Sequence, residues 1–181
     1  MSQRTDQDLM LALKAGDRAA FEELYRRYRD RLHAFLVRYT GDPSTAQDLF
    51  QETFLRVFRD RARYEPRAAF ATWLFTIARN LFLDSLKRPG AAVTSAQSDA
   101  AMRAVPDPAP GPLQNLERRE ADAALRQALA SLPEEERAIL LLSRFEGLRY
   151  AQIAEILGMS EGTVKVRAHR ALQALRQALQ K

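Results

Sequence analysis

The chain contains no cysteine among its 181 residues, which excludes disulfides and every thiolate-ligated metal or redox centre. Histidine is nearly as scarce. His33 and His169 stand far apart, and neither has a second His, Asp or Glu at metal-ligand spacing on a shared helical face, so both read as surface residues. The phosphate-binding and nucleophile motifs that depend on glycine at fixed offsets (G-x-x-x-x-G-K-S/T, G-x-G-x-x-G, G-x-S-x-G) do not occur. Neither an enzyme nor a cofactor is therefore expected. The carboxylates that do cluster, Glu134 to Glu136, sit at the start of an expected helix, where the helix dipole accounts for them without acid-base chemistry. Long apolar runs are missing as well, and the opening "MSQRTDQDLM" lacks the hydrophobic core of a signal peptide. The expectation is a chain that stays in the cytoplasm and does not insert into a membrane.

What remains is a composition suited to folding, 46% hydrophobic and 28% charged, with a net charge of +5 that suits a polyanionic partner without specifying one. Proline is unevenly spread, since five of the eight prolines fall between residues 88 and 115. That stretch, "RPGAAVTSAQSDAAMRAVPDPAPGPLQN", has little apolar material to bury and few backbone donors, so it reads as a tether. Formal charges divide accordingly: +4 over residues 1–88, −1 over 89–116 and +2 over 117–181. Two basic modules flank an acidic linker.

Outside the linker every segment has helical period and none has the alternation of a strand. Helices are expected from about Thr5 to Ala15, from the cap candidate Asp17 to near Gly41, after Ser44, and over 70–88. A second set begins near Leu113, continues with a helix that has Pro133 at its first position, and closes on a helix pair. The fold class is all-α: two small helical domains, 1–88 and 113–181, joined by a flexible linker over 89–112.

Three stretches bear on function. In "AQIAEILGMSEGTVKVRAHRAL" (151–172), Ile153, Ala154, Ile156 and Leu157 form one apolar face, Gly158 can take the positive φ that ends a helix, and Ser160 can cap the next. This is a helix-turn-helix pattern. Opposite its apolar stripe the second helix presents Gly162, Val166, His169, Arg170 and Gln173, with Lys165 and Arg167 on the flanks. Cations to neutralise phosphates and short or forked side chains to touch base edges are what groove reading requires.

In "AQDLFQETFLRVFR" (46–59) the apolar stripe leaves Asp48, Gln51, Glu52, Leu55, Arg56 and Arg59 outward. An outward leucine ringed by charges suits a protein-contact patch and suits an ordinary surface equally well. "FATWLFTIARNLFLDSLKR" (70–88) has an apolar arc too wide for one core face. Upstream of it, "RDRARYEPRAAF" sets arginines beside Tyr64 and Phe70, a combination suited to single-stranded nucleic acid, although any one aromatic is better explained by core filling. Thirteen of the fifteen aromatics precede residue 88.

Taken in order and spacing, these motifs together with "LPEEERAILLLSRFEGLRYAQIAEILGMSEGTVKVRAHRAL" resemble the bacterial sigma factors of the sigma-70 class, in their short extracytoplasmic-function group. The resemblance implies a sigma-2 domain over about 1–88 and a sigma-4 domain over about 113–181, which bind core RNA polymerase and direct it to promoter DNA. It implies that Asp48, Gln51, Glu52 and Leu55 dock on the polymerase. By the same likeness Tyr64, Arg67, Phe70, Trp73, Arg79 and Asn80 capture and help melt the minus-10 element, and Lys165, Val166, Arg167, His169 and Arg170 read the minus-35 element. A separate anti-sigma protein is the regulator the family implies.

Overall fold

The computed structural model describes residues 4–87 and 112–180, and among them every regular element is helical. The linker expected over 89–112 lies, but for its last residue, outside the described residues.

The first module comprises α1 (Asp6–Lys14), α2 (Arg18–Thr40), α3 (Pro43–Arg59) and α4 (Phe70–Leu86), with a short 3₁₀ turn at Arg61–Arg63. Local chemistry sets each boundary. Thr5 and Asp8 form a reciprocal capping box at α1, Asp17 accepts from the backbone N–H groups of Ala19 and Ala20, and Gly41 ends α2 at φ 74°. α3 starts two residues earlier than the serine suggested, because Asp42 takes the cap and Pro43 opens the helix.

Asp42 accepts from the Thr45 hydroxyl and then the Thr45 backbone N–H, and these bonds hold its carboxyl below the usual carboxylate range. A depressed folded-state pKa stabilises the fold above the unfolded value and loses that contribution as pH falls through the folded one. Asp42→Ala is expected to lower stability by about 1 kcal/mol at neutral pH. In urea unfolding the difference from the parent chain should shrink toward pH ~3, below the ordinary aspartate pKa.

α2 is the spine. Its buried positions Leu24, Tyr28, Leu32, Phe35, Leu36 and Tyr39 recur at helical spacing and meet α1, α3 and α4. Phe35 stacks on Tyr39 with ring centroids 5.1 Å apart and meets Phe75 of α4 edge-on at 5.0 Å, while Tyr39 lies 4.7 Å from Phe82. The wide apolar arc of α4 is thereby explained: Phe75 and Phe82 face α2, and its other side packs against the second module.

The second module comprises α5 (Pro112–Ala130), α6 (Glu134–Leu140), α7 (Tyr150–Leu157) and α8 (Glu161–Leu179). Pro133 is the cap of α6 rather than its first residue. After Leu140 the helix widens into a five-residue π turn, Leu141–Phe145, which the periodicity did not indicate. Leu129, Ile139, Leu141, Ile153, Ile156 and Val164 are buried together. The apolar core is continuous across both modules, with α4 packed on α7 and α2 on the π turn and α5.

Candidate nucleic-acid interface

α7 and α8 form the helix-turn-helix that the sequence indicates. Gly158 ends α7 at φ 66°, and the Ser160 hydroxyl accepts from Thr163 N–H at 3.1 Å. Val164, Ala168 and Ala171 are buried, which turns Val166, His169 and Arg170 outward; Val166 is 53% exposed. An apolar side chain kept that far in solvent has no packing role in this module.

The cations of α8 are not equivalent. Lys165 pairs with Glu161 one turn earlier at 2.8 Å, and Arg167, half-buried, pairs with Glu135 of α6. His169 shares a 3.0 Å hydrogen bond with Gln173. Arg170 has no ion pair among the described residues and stands exposed. Two further cations, Arg144 and Arg149, line an open groove that reaches Glu161 at the start of α8. Neither belongs to the helix-turn-helix motif itself, since both precede α7 and reach the groove only because the π turn brings them beside α8.

In the first module the acidic-apolar patch of α3 is where the period put it. Asp48, Gln51 and Leu55 are exposed and Glu52 is half-buried, and Leu55 keeps 64% of its surface in solvent.

The arginine-rich loop is organised differently from an open stacking platform. Tyr64 and Phe70 are each 1% exposed and belong to the core. Trp73 is half-buried, with its ring 5.3 Å from Tyr64 and 6.3 Å from Phe70. The loop is pinned to α1, since Lys14 Nζ donates to the Tyr64 carbonyl and Gln7 to that of Pro66. Arg67 and Asn80 are exposed, Arg67 beside Glu65. Arg79 is buried in an ion pair: its Nε and Nη2 donate to the two carboxylate oxygens of Glu134 at 3.0 and 3.1 Å. Of the six minus-10 candidates, then, Arg67 and Asn80 face solvent, Trp73 does so in part, and Tyr64, Phe70 and Arg79 are enclosed in this arrangement.

Burial by itself would lower the Arg79 pKa, but the hydrogen bonds to Glu134 and its charge outweigh burial and leave it raised, so the guanidinium stays charged. The Tyr39 hydroxyl also donates to Glu134, and burial followed by that bond pushes its pKa up. Among the described residues no three His, Asp or Glu side chains converge as a metal site, and no helix is long and apolar enough to cross a membrane.

A basic helix-turn-helix joined to a second helical module with its own outward patch defines a class of nucleic-acid-binding protein rather than a single activity. Comparison with known proteins narrows it. Residues 24–91 match the family model Sigma-70 region 2, and residues 122–175 match Sigma-70, region 4. The chain is 42% identical to ECF RNA polymerase sigma factor SigE of Mycolicibacterium smegmatis, over 92% of this chain and 65% of that protein. It is 33% identical to the RNA polymerase sigma-H factor of Pseudomonas aeruginosa (99% and 96% covered) and 37% identical to CarQ of Myxococcus xanthus (94% and 95%). Among solved structures it is similar to RpoE from Bartonella quintana, determined with the anti-sigma factor NepR, at TM-score 0.67 and 27% identity over 88% of this chain and 96% of that one. CnrH, determined with the cytosolic domain of CnrY, shares the fold at TM-score 0.72 and 22% identity, with 97% of each chain covered. The chain belongs to the sigma-70 family of RNA polymerase sigma factors, in its extracytoplasmic-function group.

Proposed function

We infer that this chain is a promoter-specificity subunit that works in the cytoplasm: it binds core RNA polymerase, recognises minus-35 and minus-10 elements, and uses binding energy rather than covalent chemistry to open the duplex. The observation that carries the reading is the presence of region 2 and region 4 in one chain, on two modules that each keep an outward patch of their own. In this reading residues 1–88 form the polymerase-binding and minus-10 domain and 113–181 the minus-35 domain, joined through 89–112. Asp48, Gln51, Glu52 and Leu55 dock on the polymerase. Lys165, Val166, Arg167, His169 and Arg170 enter the major groove; Arg67, Trp73 and Asn80 are the minus-10 residues a single strand can reach, while Tyr64 and Phe70 support that loop from the core and Arg79 is held by Glu134. A separate anti-sigma protein as regulator is supported by the similar RpoE, determined with the anti-sigma factor NepR.

Run-off transcription with a purified bacterial core polymerase over a promoter library tests the whole. Discrete transcripts that need this chain are expected; failure to associate with the polymerase, or no start on any template, overturns it. Within that assay Arg170→Ala is expected to reduce discrimination at one base pair by about 1–3 kcal/mol, the worth of a bidentate contact to guanine. An equal loss on all sequences would make Arg170 a phosphate contact instead.

A further inference from the structure

Residues 64–69 join the 3₁₀ turn to α4 without regular structure of their own. Ala69 has no side chain with which to cap α4, so the loop is not anchored at that end. It is held from α1 instead. Lys14 Nζ donates to the Tyr64 carbonyl at 3.2 Å, and Gln7 Nε2 donates to the Pro66 carbonyl at 3.3 Å. No other hydrogen bond among the described residues joins this loop to α1, α2 or α3. Gln7 and Lys14 stand two turns apart on one side of α1, about 10 Å along its axis. The helix itself is fixed to the core: Leu9, Met10 and Leu13 are buried, and Asp6 accepts from the Tyr28 hydroxyl and, at 2.8 Å, from Arg27 Nη1 of α2. What the loop carries explains why its position matters. Arg67 is exposed beside Pro66, and the half-buried Trp73 ring lies 5.3 Å from that of Tyr64, the residue whose carbonyl Lys14 holds. The Tyr64 hydroxyl donates in turn to the Ala68 carbonyl at 3.4 Å, so a displaced Tyr64 disturbs both Trp73 and the approach to α4.

We propose that Gln7 and Lys14 are positioning residues for minus-10 capture: from α1 they set the backbone of the loop, so that Arg67 and Trp73 meet an unpaired base in one arrangement. This role rests on the functional reading above and extends the specificity of that site to a helix outside it. Neither side chain touches DNA; both act through the Tyr64 and Pro66 carbonyls. A loose loop adapts to the wrong base as well as to the right one, so releasing it costs specificity more than it costs affinity. A loop set before binding keeps the difference between bases.

Trp73 is the chain's single tryptophan, so its emission reports on this loop. Gln7→Glu/Lys14→Met removes both donors and keeps both stems. In the free variant chain the emission should shift to the red and be quenched more readily by acrylamide, with helicity by circular dichroism unchanged. With core polymerase on templates that vary each minus-10 position, the ratio of run-off from the best base to the worst should fall about tenfold, the cost of ordering one or two side chains on binding. The ratios across the minus-35 positions should stay as in the parent chain. Lys14→Arg keeps a donor and should behave as the parent, whereas Lys14→Met should not. Unchanged emission, unchanged minus-10 ratios, or an equal fall at both elements overturns the proposal. So does a salt dependence of promoter binding weakened by about one phosphate contact in Lys14→Met, which marks Lys14 as a DNA ligand rather than a tether. Should the double variant lose helicity, Gln7→Glu alone decides by the same readouts. The two failures are distinguishable: no transcript from the parent chain overturns the functional reading, while parent transcripts with unchanged ratios in the variant overturn only the role of α1.

Discussion

Leu55→Asp is expected to weaken association with core RNA polymerase about 30-fold or more, the equivalent of roughly 2 kcal/mol for one interface anchor. The substitution replaces an apolar side chain that the chain itself does not use, because Leu55 is 64% exposed while its neighbours Phe54 and Val57 fill the core beneath it. A docked partner would have to desolvate the new carboxylate on a face that already carries Asp48 and Glu52. Inside the free chain the change costs no more than the helix-propensity difference, roughly half a kcal/mol. Titration of core polymerase and thermal unfolding of the free chain should therefore separate: a large loss in the first, a shift of a few degrees at most in the second. Unchanged affinity would remove the docking role from this face. A large fall in thermal stability would place Leu55 among the packing residues, which its exposure contradicts.

The helices and their ends were legible because each depends on residues a few positions apart. Asp17 and Ser160 as caps, Gly41 and Gly158 as left-handed terminators, and the 3.6-residue period that sorts α3 and α8 into inner and outer faces are all local chemistry. The outward position of Leu55, Val166 and Arg170 follows from the same period. Contacts between modules were not legible. Glu134 looks from sequence like any acidic residue at a helix start, and its partner Arg79 is 55 positions away, while Arg31 and Glu146 are 115 apart. Nor does the linear pattern say whether an aromatic among arginines is a stacking platform or a core residue. Tyr64 is enclosed because Lys14 and Gln7, from a helix fifty and more positions upstream, hold its loop down. The π turn at Leu141–Phe145 is equally silent in sequence, although it delivers Phe145 and Glu146 to α2.

Phe75→Ala and Tyr39→Phe distinguish what holds the first module together from what holds it to the second. Phe75 is fully buried and meets Phe35 edge-on, so truncation removes an aromatic ring and leaves a cavity between α2 and α4. A loss of about 3–5 kcal/mol is expected, a large part of the roughly 5–15 kcal/mol that a domain has in total. At about 4–8 °C per kcal/mol for a module of this size, calorimetry should show the transition lowered by more than ten degrees or so. Tyr39→Phe keeps the ring that stacks on Phe35 and lies against Phe82, and deletes only the hydroxyl that donates to Glu134. Glu134 still has both bonds to Arg79, so no buried charge is left alone and the cost should stay near 1 kcal/mol. Because the first effect arises between α2 and α4, it should persist in full when the two modules are held apart by Glu134→Lys; the second, which exists only across the junction, should then vanish. A double-mutant cycle in which both effects changed equally with Glu134 would mean that the aromatic stack and the ionic contact form one cooperative unit.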